Sequence, residues 1–312
     1  MLAGPQLEDK ARAAYLGLAI GDALGATVEF MTPNEIRTHH DVHKNITGGG
    51  WLKLRPGRVT DDTEMSLALG EALLSSQRID AEIIAEAFSE WMRTKPVDIG
   101  NTVRRGLVYY RQHGETSVPK SEFNAGNGAC MRTLPIALAT LGADDELVIN
   151  ASRIQAHITH HSSLADAGTE HVVQLLQLAL NGASLSELET CSRGFARQQP
   201  KYSYNSKRIT SPSGYIVETL QAVLQAFYTT YDFESCLIDV VNRGGDADTT
   251  GAIAGMLAGA CYGMAAIPKR WQRQLDPHIS THCLNQADAL LAMAPLKTIS
   301  AAKQIPPNHS TG

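Results

Sequence analysis

Thr249 to Pro268 reads TTGAIAGMLAGACYGMAAIP, a run without a single charge. A charge-free run of about 20 residues is what a helix needs to cross a bilayer. Gly251, Gly255 and Gly259 repeat at the four-residue spacing by which membrane helices pack. Composition argues against a span. The run is mostly Gly and Ala, hence weakly hydrophobic, and it begins directly after Asp246 and Asp248. It reads as a buried central helix whose small residues let neighbouring helices approach closely.

The pattern around it is helical. Apolar residues fall at helical spacing over 8–24, 63–76, 80–93, 98–112, 128–141, 145–158, 163–180, 184–198, 213–229, 233–242, 249–263 and 284–294. Alternating strand patterns are almost absent and no βαβ rhythm occurs, so a parallel sheet is not expected. Gly, Pro and polar residues gather in 31–60, 113–127, 199–212 and 242–248. The first of these is long for a structureless connection, which marks function or local structure. No Pro/Gly linker or repeat divides the chain. The expectation is an all-α, compact single domain of crossing helices over 1–296. The polar stretch KTISAAKQIPPNHSTG (297–312) reads as a disordered tail.

The chain has 312 residues, 43% of them apolar, enough for a sizeable core. A net charge of −5 argues against a nucleic-acid binder, which shows a basic face. The five cysteines are widely spaced and form no CxxC, as expected of a reducing cytoplasm rather than a disulfide framework or zinc ribbon. The N-terminus does not read as a signal peptide.

Two acidic clusters precede helices: Thr60-Asp61-Asp62 within VTDDTEMS (59–66), and Asp246, Asp248, Thr249 and Thr250 within GGDADTTGA. Helix capping is the plain reading of each, and Asp61 with Glu64 resembles a capping box. Capping needs one acid or hydroxyl, however, and each site supplies several. If the clusters meet, four carboxylates converge, and like charges at close range demand cations. Mg²⁺ or Mn²⁺, bound by carboxylate and hydroxyl oxygens, suits such a set better than zinc, since no His or Cys adjoins either cluster. Two weaker signals are GDALGATVEF (21–30), with Asp22 and Glu29, and NAGNGACMR (124–132), whose Gly126, Asn127 and Gly128 precede an expected helix and suggest an anion site.

These segments, with TGGGWLKLRPGRVTDDTEMSLALG, KPVDIGNTVRRG and NRGGDADTTGAIAGMLAGACYG, occur in an order that resembles the ADP-ribosylglycohydrolase family from about residue 8 to 296. The resemblance implies an all-α fold with a dinuclear Mn²⁺ or Mg²⁺ cleft. It assigns Thr60, Asp61 and Asp62 to one side of the metal site and Asp246, Asp248 and Thr249 to the other. Glu29 becomes a ligand or gate, and Asp98 the acid/base. Asn101 faces the ribose; Gly126, Asn127 and Gly128 hold the diphosphate. Glu122, His160 and Tyr215 contact the rest of ADP-ribose. His157, His160 and His161 lie within five residues, which would suit zinc, but no fourth ligand is evident. The implied reaction removes ADP-ribose from a modified arginine of dinitrogenase reductase, the nitrogenase iron protein. Alternatives are another modified protein, or a catalytically silent binder of ADP-ribose or of a partner. The implied regulators are a PII signalling protein and an ammonium channel, which would bring a cytoplasmic protein peripherally to the membrane without a span.

Overall fold

The computed structural model describes residues 4–205 and 207–295. The tail expected at 297–312 lies outside them. Among the described residues the chain forms fourteen α-helices and no strand. In order these are Pro5–Gly25 (α1), Pro33–His40 (α2), Asp61–Ser76 (α3), Ala81–Arg93 (α4), Asn101–His113 (α5), Leu134–Ala139 (α6), Asp145–His157 (α7), Ser163–Leu180 (α8), Leu185–Gln198 (α9), Ile216–Thr229 (α10), Phe233–Val241 (α11), Ala247–Tyr262 (α12), Lys269–Gln274 (α13) and Pro277–Met293 (α14). No helix among the described residues is long and apolar enough to cross a membrane.

The glycine-rich run is the centre of the molecule. Helix α12 is buried without interruption from Ala247 to Ala260. Its antiparallel partner is α1, and the two backbones nearly touch. A Cβ added at Gly17 would lie 2.1 Å from the carbonyl oxygen of Gly255, one at Gly21 1.9 Å from that of Gly251, and one at Gly25 2.1 Å from that of Ala247. The reciprocal glycines are equally tight: Gly255 faces Gly17 at 2.0 Å and Gly259 faces Ala13 at 2.1 Å. Two helices can pack this closely only where glycine removes the side chain that would point at the other backbone. The consequence for function is one of register, because the last turn of α1 is laid against the first turn of α12. Replacing Gly21 by Ala should destabilise the fold by about 3 kcal/mol, since backbone rather than a flexible side chain must move. Chemical denaturation measures this; an unchanged midpoint would mean the two helices are not locked together.

The structure departs from the periodicity in four main places, one of them α13 (Lys269–Gln274), which no expected run covers. The segment 31–60 contains α2, whose Thr32 and Glu35 form a capping box with Pro33 at the first helical position. That signal, TPNE, was present in the sequence. The helix expected at 128–141 shortens to Leu134–Ala139, because the amides of Cys130 and Met131 turn back to the carbonyl of Asn127 (2.9 and 3.0 Å). Helix α14 begins at Pro277, ahead of its apolar stripe, capped by Asp276.

Candidate metal and substrate cleft

The starts of α3 and α12 converge on the cleft, and the acids of their own first turns are not spent on capping. At α3 the N-cap position is Thr60, yet no side chain of its own segment caps the helix. Asp22 of α1 does so from outside. Its carboxylate accepts from the Thr60 and Thr63 amides (3.0 and 3.2 Å) and from their hydroxyls (2.9 and 2.5 Å). The expected Asp61/Glu64 capping box is absent. Glu64 instead accepts from the Arg58 guanidinium (2.6 Å) and the Trp91 indole (3.0 Å). At α12 Asp246 occupies the N-cap position, again without a capping bond from its side chain.

Backbone pairing brings Glu29 to the second cluster. The Phe30 amide donates to the Gly245 carbonyl (2.7 Å), and the Gly245 amide to that of Met31 (2.9 Å). Gly244 and Gly245 have φ of 70° and 66°, and a Cβ at Gly244 would lie 2.0 Å from the Met31 carbonyl oxygen. Glycine is therefore required at that crossing. As a result, carboxylate oxygens of Glu29, Asp246 and Asp248 lie within 4.8 Å of one another. Thr249 Oγ1 reaches Asp62 Oδ2 at 3.4 Å, joining the second cluster to the first.

These acids line, or lie beneath, a cavity of about 430 Å³. Asp61, Asp98 and Asn101 form one wall; Gly126, Asn127, Gly128 and His160 form another; Glu29, Asp246, Asp248 and Thr249 complete it. Thr60 and Asp62 are buried and lie outside the lining. Glu122 is exposed in the short turn Glu122–Asn124, and Tyr215 heads α10; neither lines the cavity. Tyr215 pairs through its backbone with Gly126. The three neighbouring histidines separate. His157 meets Asp166 at 2.9 Å and stacks on His161 at 3.8 Å between ring centroids, and only His160 reaches the cavity.

The glycine loop differs from its sequence reading. It does not open a helix, so no helix N-terminus faces the cavity there. The Asn127 amide is taken by the Gly214 carbonyl (3.0 Å), and its side chain donates to Asp246 Oδ2 (2.5 Å) and Thr219 Oγ1 (2.9 Å). Asn127 thus positions Asp246. The amides of Gly126 and Gly128 have no protein acceptor among the described residues.

Among the described residues no lysine or arginine lines the cavity, and its carboxylates are reluctant to ionise. Burial, then the charges of Asp246, Asp98 and Asp61, pushes Glu29 up to about 8. Burial, followed by Asp98, raises Asp61 to about 8. Asp62 and Asp248 are pushed well above the ordinary carboxylate range by burial and by neighbouring acids. Burial also raises Asp98 and Asp246. Asp62 Oδ1 is fully buried with no hydrogen-bond partner. An orphaned carboxylate oxygen in an all-oxygen, cation-free acidic set fits a hard divalent ion.

Two features escaped the sequence reading. Asp22 was visible only as an acid near a helix end. Trp51 stands 52% exposed on a turn whose three preceding glycines all have positive φ, and its indole donates to Glu29 Oε2 at 2.6 Å. The run of three glycines was the available signal. If Glu29 holds a divalent ion, replacing Trp51 by Phe should weaken Mn²⁺ binding about tenfold, as loss of a partner behind a ligand does. Calorimetric titration checks this, and unchanged affinity would mean that Glu29 needs no such support.

The helical fold and acidic cleft are those of a known class. The chain belongs to the ADP-ribosylglycohydrolase family, whose model matches residues 3–299. It is 48% identical over 297 residues, 95% of this chain and 100% of the relative, to the ADP-ribosyl-[dinitrogen reductase] glycohydrolase of Rhodospirillum rubrum. It is 32% identical over 302 residues, 92% of this chain and 80% of the relative, to an ADP-ribosylarginine hydrolase of Serratia proteamaculans. A solved ADP-ribosylglycohydrolase-related protein complex superposes with a TM-score of 0.83 at 36% identity, covering 93% of this chain and 99% of that one.

Proposed function

We propose that the protein hydrolyses the N-glycosidic bond joining ADP-ribose to an arginine of dinitrogenase reductase, using two divalent cations, Mn²⁺ or Mg²⁺. The observation that carries this reading is the acidic cleft whose carboxylates neither cap helices nor meet cations, in a chain of full-length likeness to a glycohydrolase named for that substrate.

Thr60, Asp61, Asp62, Asp246, Asp248 and Thr249, with Glu29, would hold the ions. Bound there, divalent cations supply Lewis acidity and lower the pKa of water. The chain's own groups do the rest. Asp98 Oδ1 accepts from the Ile99 amide at 2.7 Å, which leaves Oδ2 to carry a proton. With its pKa raised by burial, Asp98 suits proton transfer to and from the reacting groups. The acidic wall stabilises positive charge as it develops on the ribose. The open amides of Gly126 and Gly128 offer donors to the diphosphate, and Asn101 faces the ribose. The adenosine part extends beyond the cavity toward Glu122 and Tyr215.

The reading places the protein in the cytoplasm, with peripheral membrane recruitment through a PII signalling protein and an ammonium channel. Because no described helix can span a bilayer, attachment would go through partners. The test is release of ADP-ribose from arginine-ADP-ribosylated iron protein with Mn²⁺, then with chelator. Mn²⁺-dependent release supports chemistry, cofactor and target together. Cleavage of free ADP-ribosylarginine without cleavage of the protein removes the target, and release from neither favours a silent binder.

A further inference from the structure

Arg132 is fully buried and forms no ion pair. A guanidinium there is costly, and burial pulls it down to about 9. Its face lies over the Phe88 ring at 4.3 Å. Nε donates to Gln155 Oε1 and Nη2 to the Gln155 carbonyl, each at 2.8 Å. Nη2 also donates to Thr159 Oγ1 at 2.8 Å. That hydroxyl, itself buried, lies 2.7 Å from His160 Nδ1.

The chain of bonds has a direction. A guanidinium donates and never accepts. Thr159 Oγ1 therefore accepts from Arg132, and its single proton is free for His160 Nδ1. The neutral ring then carries its own proton on Nε2. That atom has no protein partner among the described residues, and the ring borders the cavity. It sits against the glycine loop: a Cβ at Gly126 would lie 2.9 Å from Nε2, and one at Gly128 3.1 Å. Burial, then the positive charges of Arg132 and Arg105, keeps the ring unprotonated down to about pH 3.

We propose that Arg132, acting through Thr159, fixes His160 as the Nε2–H tautomer and makes it a neutral hydrogen-bond donor aimed at an anionic group lying on the Gly126–Gly128 loop. Naming that anion as the diphosphate of ADP-ribose rests on the proposed function; the tautomer does not. Arg132 and Thr159 are positioning residues, and His160 touches the ligand. The arrangement gives a task to an arginine buried where a guanidinium is costly. It also explains why both flanking positions are glycine, since either side chain would displace the ring.

Two-bond ¹H–¹⁵N correlation spectra of the full-length protein labelled at histidine read the tautomer directly, with His160 assigned by its loss in His160→Gln. The expected wild-type signature is a protonated Nε2 and a bare Nδ1. Thr159→Ser should keep it. Thr159→Val should redistribute the proton and weaken ADP-ribose binding about fivefold, because only part of the population then presents the donor. A wild-type ring protonated on Nδ1 overturns the proposal even if no variant folds. A folded Thr159→Val protein with unchanged tautomer and affinity overturns the role of Arg132 and Thr159. A wild-type Nε2–H signature without any affinity for ADP-ribose overturns the ligand assignment and leaves the hydrogen-bond chain intact.

Discussion

Replacing Asp248 by Asn is expected to reduce turnover by at least about a thousandfold while making the cation-free protein more stable. Both halves follow from the same geometry. Asp248 lies against Glu29 and Asp246, and no cation lines the cleft. Its carboxylate is pushed well above the usual range by burial, then by Glu29 and Asp62. If Asp248 holds an ion as proposed, an amide of the same shape cannot supply that charge, and ion binding and the chemistry that depends on it should fail. The same amide relieves a buried repulsion, worth about 1 kcal/mol in chelator at neutral pH. Turnover assays with Mn²⁺ and thermal melts with chelator measure the two halves. Turnover within tenfold of wild type would sink the ion-binding reading of Asp248, and a lower melting temperature in chelator would show that its charge is already compensated.

The second large effect is on the pH dependence of stability. Glu29 and Asp61 titrate near 8 in the folded protein, against 4.5 and 3.8 for the unperturbed groups. Between those values the folded state holds protons that the unfolded chain has released, so stability is fully present at low pH and falls as pH rises toward 8. Asp22 acts the same way up to about 6. Three buried histidines oppose it lower down. His43, His160 and His171 are held by burial near 4, 3 and 4, so they favour the folded state increasingly up to 6.5, where the unfolded chain stops taking protons. The clear window is thus pH 6.5 to 8. There the chelated protein should lose on the order of 3 kcal/mol. On the proposed reading Mn²⁺ in excess should reverse the loss, since it would bind the ionised folded site and not the unfolded chain. Melting curves across that window, with and without Mn²⁺, provide the check. A chelated protein that gains stability from pH 6.5 to 8 would show that these carboxylates ionise freely.

How far the sequence could be read depended on the range of the interaction involved. The central helix was legible because Gly251, Gly255 and Gly259 mark a close approach by spacing alone. Its partner was not, since Gly17, Gly21 and Gly25 become meaningful only when α1 lies against α12. The acid clusters were legible because they gather ligand-type oxygens within a few residues, and the structure brings Glu29, Asp246 and Asp248 together. Asp22 was read only as an acid near a helix end because its work is done on a helix whose N-cap lies 38 residues away. The glycine loop was read as a helix start on local grounds, yet its amides turn back on Asn127. Sequence could suggest His160 by resemblance, but not that its ring rests against both glycines.

The pairing of the first helix with the twelfth also sets a schedule for the newborn chain. Asp62 and Thr249, which meet at the floor of the cleft, are 187 residues apart in the chain. Helix α1 leaves the ribosome with its small-residue face bare and nothing to cover it until α12 follows. At about 10 residues per second that wait is roughly 20 s. Throughout it the acids of the first half stand without those of the second, so the nascent polypeptide lacks the central helix and half of its acidic cleft. Catalytic competence therefore arrives late and all at once, and a chain cut short before Thr249 is a hydrophobic fragment for chaperones and proteases to deal with rather than a weakened enzyme.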